Sequence, residues 1–303
     1  MYNLWFNTDY SRKKMKIFTF HFNTEYASEL RDAVNDRQKQ SVDNVHTDSQ
    51  IREQYYAWNR TCAAMDRLED TITYLNQLEL GKRIDQRAAF DFYDFINNIY
   101  IVIDCIKTLG SIFRIDDRLI KEIEDSTAVF GEESAENSND QKYFEYIRSL
   151  CSVHPLCTNH QKMFLKNSKF HCCPFVVWNG SFAFTRRYKS DLEAWIYTSK
   201  KDSDYIILPI YISQFESYLT KWIDLIPHII EAKNNFTDKE YERLRQEPIK
   251  SLSDYSNDVV QYLAYLKQEY CKRFDYGSDY IFDQFIRVFT VDLSDSGSVK
   301  KFV

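Results

Sequence analysis

Apolar positions recur at three- and four-residue steps along the first half of the chain. Trp58, Cys62, Met65, Ile72, Leu75 and Leu78 fall on one face of a predicted helix, and Gly81 reads as its C-terminal cap. From about Arg87 to Phe113 the chain is apolar nearly all round, through Phe90, Phe92, Phe95, Ile96, Ile99, Ile101 and Val102. That pattern predicts a central helix packed between others. The acidic stretch GEESAENSNDQ, Gly131 to Gln141, reads as a solvated loop. A short helix carrying Tyr143, Phe144 and Ile147 is predicted to follow. It should end or kink at His154, because Pro155 disfavours the helical conformation for the residue before it.

Beyond that point the texture changes. HCCPFVVWNGSFAF, DLEAWIYTS and DYIILPIYI are rich in β-branched and aromatic residues and are separated by turn signals such as Asn179-Gly180. They predict two or three strands between about 171 and 212. Helical spacing returns from Gln214 to Lys233 (Phe215, Leu219, Trp222, Ile226, Ile230), with Pro227 as a kink, and again through Val259, Leu263, Leu266 and Tyr270. The expected fold class is therefore mainly α: a helical bundle with a small inserted β element and additional C-terminal helices. The expected division is an N-terminal extension over 1–45, the bundle over 46–235 and a C-terminal helical segment over 236–303.

Composition agrees with this pattern. Six glycines and five prolines in 303 residues are few, which disfavours a turn-rich β fold. The glycines also lie too far apart to cradle a phosphate, so Walker and Rossmann nucleotide sites are not expected. The N-terminus is a poor signal peptide, since Asp9 precedes its basic cluster and the apolar run after it is short. The best membrane candidate, IYIVIDCIKTLGSIF, contains Asp104 and Lys107 and falls short of a spanning length. The expectation is a cytoplasmic protein with its seven cysteines reduced and its sequons at Asn59, Asn179 and Asn235 unused. The aromatic residues are expected mainly in the core.

Charge changes the picture locally. The net charge of -6 argues against a general nucleic-acid coat. Yet no Asp or Glu occurs from Tyr146 to Ser190, while Arg148, Lys162, Lys166, Lys169, Arg186, Arg187 and Lys189 all fall there. Such a patch holds a polyanion locally while the rest of the chain repels loose binding; the plainer reading is a solvated charged face.

The stretch RSLCSVHPL, residues 148 to 156, opens this window. It presents an arginine, a polar neighbour, then a histidine at a helix-breaking proline, late in a short helix preceded by two long ones. That arrangement resembles the HEPN superfamily, helical bundles whose signature is an arginine, usually a polar residue next to it, four to six intervening residues and a histidine. The resemblance covers at most residues 46 to 235. It departs in carrying serine where the nucleases most often have an amide or acid, and in the β segment interrupting the bundle.

The resemblance implies a metal-independent endoribonuclease without cofactor, working in a groove between two protomers of a homodimer. Such domains occur in bacterial toxin and antiviral-defence systems, which implies an antitoxin or regulatory protein as a further partner. Its catalytic residues would be Arg148, His154 and Ser149, with Lys162, Lys166, Lys169, Arg186, Arg187 and Lys189 binding RNA. The 2′-hydroxyl of RNA is an internal nucleophile, so the enzyme moves protons and steadies the phosphorane. Histidine suits the first task and the planar arginine fork the second. On an ideal helix, however, a six-residue step sets Arg148 and His154 about 240° apart, so a break at Pro155 or a dimer has to reunite them.

Three other readings remain open. Cys151, His154, Cys157 and His160 step by three, with His171, Cys172 and Cys173 following, and all are ligands zinc accepts. A second keeps the bundle without catalysis, as a binding or regulatory module for RNA, nucleotide or a protein. In the third, Arg148 pairs with an acid and His154 merely ends a helix.

Overall fold

The computed structural model describes residues 16–35, 57–81, 88–131, 138–178, 189–200, 205–273 and 279–290. The protein is mainly helical, with one small antiparallel sheet. Described residues form helices α1 (Glu25–Asn35), α2 (Ala57–Gln77), α3 (Ala88–Phe113), α4 (Asp117–Glu124) and α5 (Asp140–Arg148), followed by strands β1 (His171–Trp178), β2 (Leu192–Thr198) and β3 (Ile206–Ile210). Helices α6 (Ile212–Ile223), α7 (Ile226–Gln246), α8 (Val259–Arg273) and α9 (Asp279–Thr290) complete the order. The chain divides into two compact units, one drawn from 1–29 and 62–229, the other from 30–61 and 230–303.

In the first unit α3 is the axis. Phe92, Phe95, Ile96, Ile99, Val102, Ile106 and Leu109 are fully buried. Each such side chain contributes about 1.5–3 kcal/mol by leaving water. Phe95 stacks on Phe20 with centroids 4.6 Å apart, and Phe92 meets Phe215 of α6 edge-on at 5.9 Å. Phe215 also touches Phe130 and Phe144, so rings from four segments close one aromatic core. By length and composition Ala89–Phe113 is apolar enough to cross a membrane, which corrects the expectation that no segment reaches that length; a little over half of it is buried inside the fold. Asp104 and Lys107 do not disqualify it, because so many apolar residues surround them.

Gly81 is not the cap of α2, which ends at Gln77. It follows a bridge between Phe18 and Leu80, has φ +82°, and lies where a Cβ would come within 2.5 Å of the Lys16 carbonyl. The bridge segment is held further by Asn76, whose side-chain amide accepts from Phe22 N–H at 2.7 Å and donates to Phe22 C=O at 2.9 Å.

The sheet has the order β1-β2-β3, with Val176 opposite Ala194 and Leu192 opposite Ile210. The central strand is buried from Leu192 to Ile196. Pro174 and Pro209 lie on the two edge strands, where a missing N–H is tolerated, and the β1 register shifts around Pro174. After the sheet the expected kinked helix is two helices, separated at Asp224 and Leu225, with Pro227 in the first turn of α7. Proline fits there because first-turn N–H groups have no intrahelical acceptor.

In the second unit Arg273 is buried, donating twice to Glu269 at 2.8 and 3.1 Å and once to the Glu247 carbonyl at 2.7 Å. Ser251 and Asp254 form a capping box at a short 3-10 turn, Leu252–Tyr255.

Candidate functional site

Helix α5 is fixed at its start and along one face. Asn139 caps it by accepting from Lys142 N–H at 2.9 Å, and the buried Asp140 carboxylate accepts the N–H groups of Val129 and Phe130 at 3.0 and 3.1 Å. Tyr143, Phe144 and Ile147 enter the core. Gln141, Glu145 and Arg148, at i, i+4 and i+7, are left on another face and are half-buried.

The helix does not end cleanly at Arg148. Ser149–Val153 widens into a π-helical turn, in which His154 N–H donates to Ser149 C=O at 2.7 Å, five residues back. Such turns are rare and concentrate at functional sites. Widening the turn changes the angular step per residue, and His154 then leaves the helix at φ -132°, ψ 55°. The chain thereby escapes the ideal-helix geometry that separates Arg148 from His154. Both line one cleft of about 250 Å³ within a single chain, together with Tyr100, Glu145, Ser149, Val153 and His160.

Each wall is held by neighbours. The Arg148 guanidinium lies 3.7 Å from the ring centroid of Tyr100 on α3, and among the described residues its buried Nε–H has no hydrogen-bond partner. Three residues before Tyr100 on the same face, Asn97 donates to the Ser152 hydroxyl at 2.6 Å, tying α3 to the π turn. After Pro155 the chain is pinned to the start of β1: Thr158 and His171 exchange two backbone bonds at 2.9 and 3.1 Å, and Cys173 N–H donates to Pro155 C=O at 2.7 Å. Gln161 then reaches back to Glu145 at 2.6 Å, while Gln141 holds the other carboxylate oxygen at 3.0 Å. This return brings the His160 ring beside that of His154, with centroids 5.5 Å apart and planes 9° from parallel. Both histidines are exposed at the cleft.

Ser149 is only 6% exposed, and its hydroxyl is hydrogen-bonded to that of Thr158 at 2.7 Å. It secures the return loop. Lys162, Lys166, Lys169 and Lys189 are exposed, and none belongs to the described lining of the cleft; Arg186 and Arg187 lie outside the described residues. The cysteine and histidine series is dispersed. Cys151 is buried beside Cys173, whose hydrogen bond, together with burial, pushes the Cys151 thiol well up. His171 is buried with Nδ1 2.6 Å from the Tyr146 hydroxyl, and burial pulls its pKa down from the ordinary value. Among the described residues no group of three or more His, Cys, Asp or Glu is placed to hold a metal ion.

Sequence reasoning assigns no role to Tyr100 or Glu145 and no catalytic role to His160. The spacing of Gln141, Glu145 and Arg148 was the available signal for the carboxylate. Nothing local announces Tyr100, which is brought to Arg148 by packing between helices. No family model, curated protein or solved structure matches the chain.

Proposed function

We propose that the protein is a metal-independent endoribonuclease, resembling the HEPN superfamily, that cleaves RNA by attack of the 2′-hydroxyl on the adjacent phosphate. The observation that carries this reading is the meeting of Arg148 and His154 in one cleft. Arg148 presents its guanidinium cation to a phosphate in the cleft, and charge on the phosphate oxygens grows as the phosphorane forms. His154 moves a proton at the reacting oxygens, a task suited to the side chain type that ordinarily titrates nearest neutrality. Ser149 acts through Thr158, holding the loop rather than touching RNA. The acid-free window from 146 to 190 favours approach of the polyanion. A cytoplasmic setting, a homodimer and an antitoxin or regulatory partner belong to the same reading.

The test incubates purified protein with RNA in excess EDTA, beside Arg148→Ala and His154→Ala. Expected are fragments ending in 2′,3′-cyclic phosphate and 5′-hydroxyl, with each substitution lowering the rate roughly 10²- to 10⁴-fold. RNA bound by wild type and both variants without cleavage would replace this reading by the non-catalytic binding module.

A further inference from the structure

We infer that His160 is a second catalytic residue and that His154 and His160 form an acid–base couple complete within one chain. The inference rests on the ribonuclease reading and adds to it a group that the arginine-to-histidine spacing does not contain. Cleavage of an RNA phosphodiester needs two proton transfers. The 2′-oxygen must lose a proton as it bonds to phosphorus, and the 5′-oxygen must gain one as its bond to phosphorus breaks. One imidazole starts neutral and takes the first proton; the other starts protonated and gives up the second. The products are a 2′,3′-cyclic phosphate and a 5′-hydroxyl, and no oxidant, reductant or metal enters the balance. A single histidine performs only one of these transfers in a step.

The site supplies the second. His160 lies six residues beyond His154, yet its ring comes to 5.5 Å and within 9° of parallel, and both rings open onto the cleft that Arg148 lines. That return is built rather than incidental. Thr158 is bridged to His171, the Thr158 hydroxyl is paired with Ser149 and accepts from His160 N–H at 3.3 Å, and Gln161 is tied to Glu145. These bonds hold the residues on both sides of His160, so its ring is presented by a fixed loop. Glu145 lines the same cleft with both carboxylate oxygens already accepting from glutamines, which leaves proton transfer to the histidines. Arg148 lines the same cleft and offers its cation to the phosphate there.

The experiment uses an oligoribonucleotide that the wild type cuts and the same strand with sulfur replacing the scissile 5′-oxygen. A thiolate leaves without being protonated, so loss of the general acid is masked on the sulfur substrate and loss of the base is not. The full chain, His154→Ala and His160→Ala are compared on both, with thermal unfolding to establish that each variant is folded and His160→Gln as a substitution closer in shape. Both alanine variants are expected to lose roughly 10²- to 10⁴-fold on the ordinary strand. One of the two, and only one, is expected to recover to near wild-type rate on the sulfur strand, which identifies the acid. If His160→Ala and His160→Gln cut the ordinary strand like wild type while Arg148→Ala and His154→Ala do not, the couple is wrong and the ribonuclease reading stands. If both alanine variants stay slow on both strands, His160 only supports the loop and the couple is again overturned. A wild type that cuts no RNA removes the reading and the couple together.

Discussion

At the scale of single residues the site depends on contacts that charge alone does not describe. Arg148 lies against Tyr100, and a cation over an aromatic face contributes about 0.5–2 kcal/mol. The ring also fixes where the guanidinium points. Tyr100→Phe keeps the face and is expected to leave RNA cleavage within twofold of wild type. Tyr100→Ala removes it and is expected to lower kcat/KM roughly 2- to 30-fold, the range that this energy corresponds to. Equal losses in both variants would show that the hydroxyl, rather than the face, matters. Buried Ser149 and Thr158 illustrate the other kind of residue: a hydroxyl pair whose importance lies in what it joins.

At the scale of elements, the π turn decides whether the site exists. Removing one residue from Ser149–Val153 should let α5 continue with ordinary α-helical hydrogen bonds. Val153 is 43% exposed, so its loss removes little from the core, whereas Ser152 is needed by Asn97. Deletion of Val153 is therefore expected to preserve helical circular dichroism while turning His154 out of line with Arg148. The rate should then fall by about two orders of magnitude or more, as for loss of a general acid or base. Retained activity would show that the widened turn is dispensable.

The sequence carries the outline of these elements but not the turn. Apolar spacing predicts α2, α3, α6 and α8, β-branched clusters predict two or three strands where three form, and Pro155 predicts the stop at His154. These signals are local, since period and proline act on neighbouring residues. The π turn is not local. Ser152 is held by Asn97, and Ser149 by Thr158, so the ladder is widened by partners that only the folded chain supplies. The same holds for Gly81, where the glycine is real but the reason for it is the carbonyl of Lys16. Sequence reasoning singles out neither α1 nor α4, of 11 and 8 residues, although apolar positions recur along one face of each.

For the whole molecule, one buried group links the site's scaffold to global stability. His171 joins α5, through Tyr146, to the return loop, through Thr158, at the start of the sheet. Burial lowers its pKa below the ordinary 6.5; a backbone interaction with Leu165 opposes this in part, and the positive charge of Lys200 adds to it. Above 6.5 both folded and unfolded chains hold it neutral, and it adds no pH dependence. As pH falls below 6.5 the unfolded chain binds a proton that the folded chain does not, so stability declines until the folded pKa is passed. Urea unfolding from pH 7.5 to 5 is expected to show this decline, and His171→Gln, which keeps a polar partner for Tyr146, is expected to flatten it. An unchanged slope in the variant would assign the acid sensitivity elsewhere.

The Asn76 clasp on Phe22 has a consequence of its own. One side-chain amide offers the backbone the same alternation of acceptor and donor that a neighbouring strand would, so a helix stands in as the edge of a sheet. The substitution is chemically unforgiving. Aspartate has the same shape and still accepts from Phe22 N–H, but it faces the Phe22 carbonyl with a second oxygen. Replacing one nitrogen by oxygen would thus turn the fastening of residues 16–22 into a repulsion, with no change in volume.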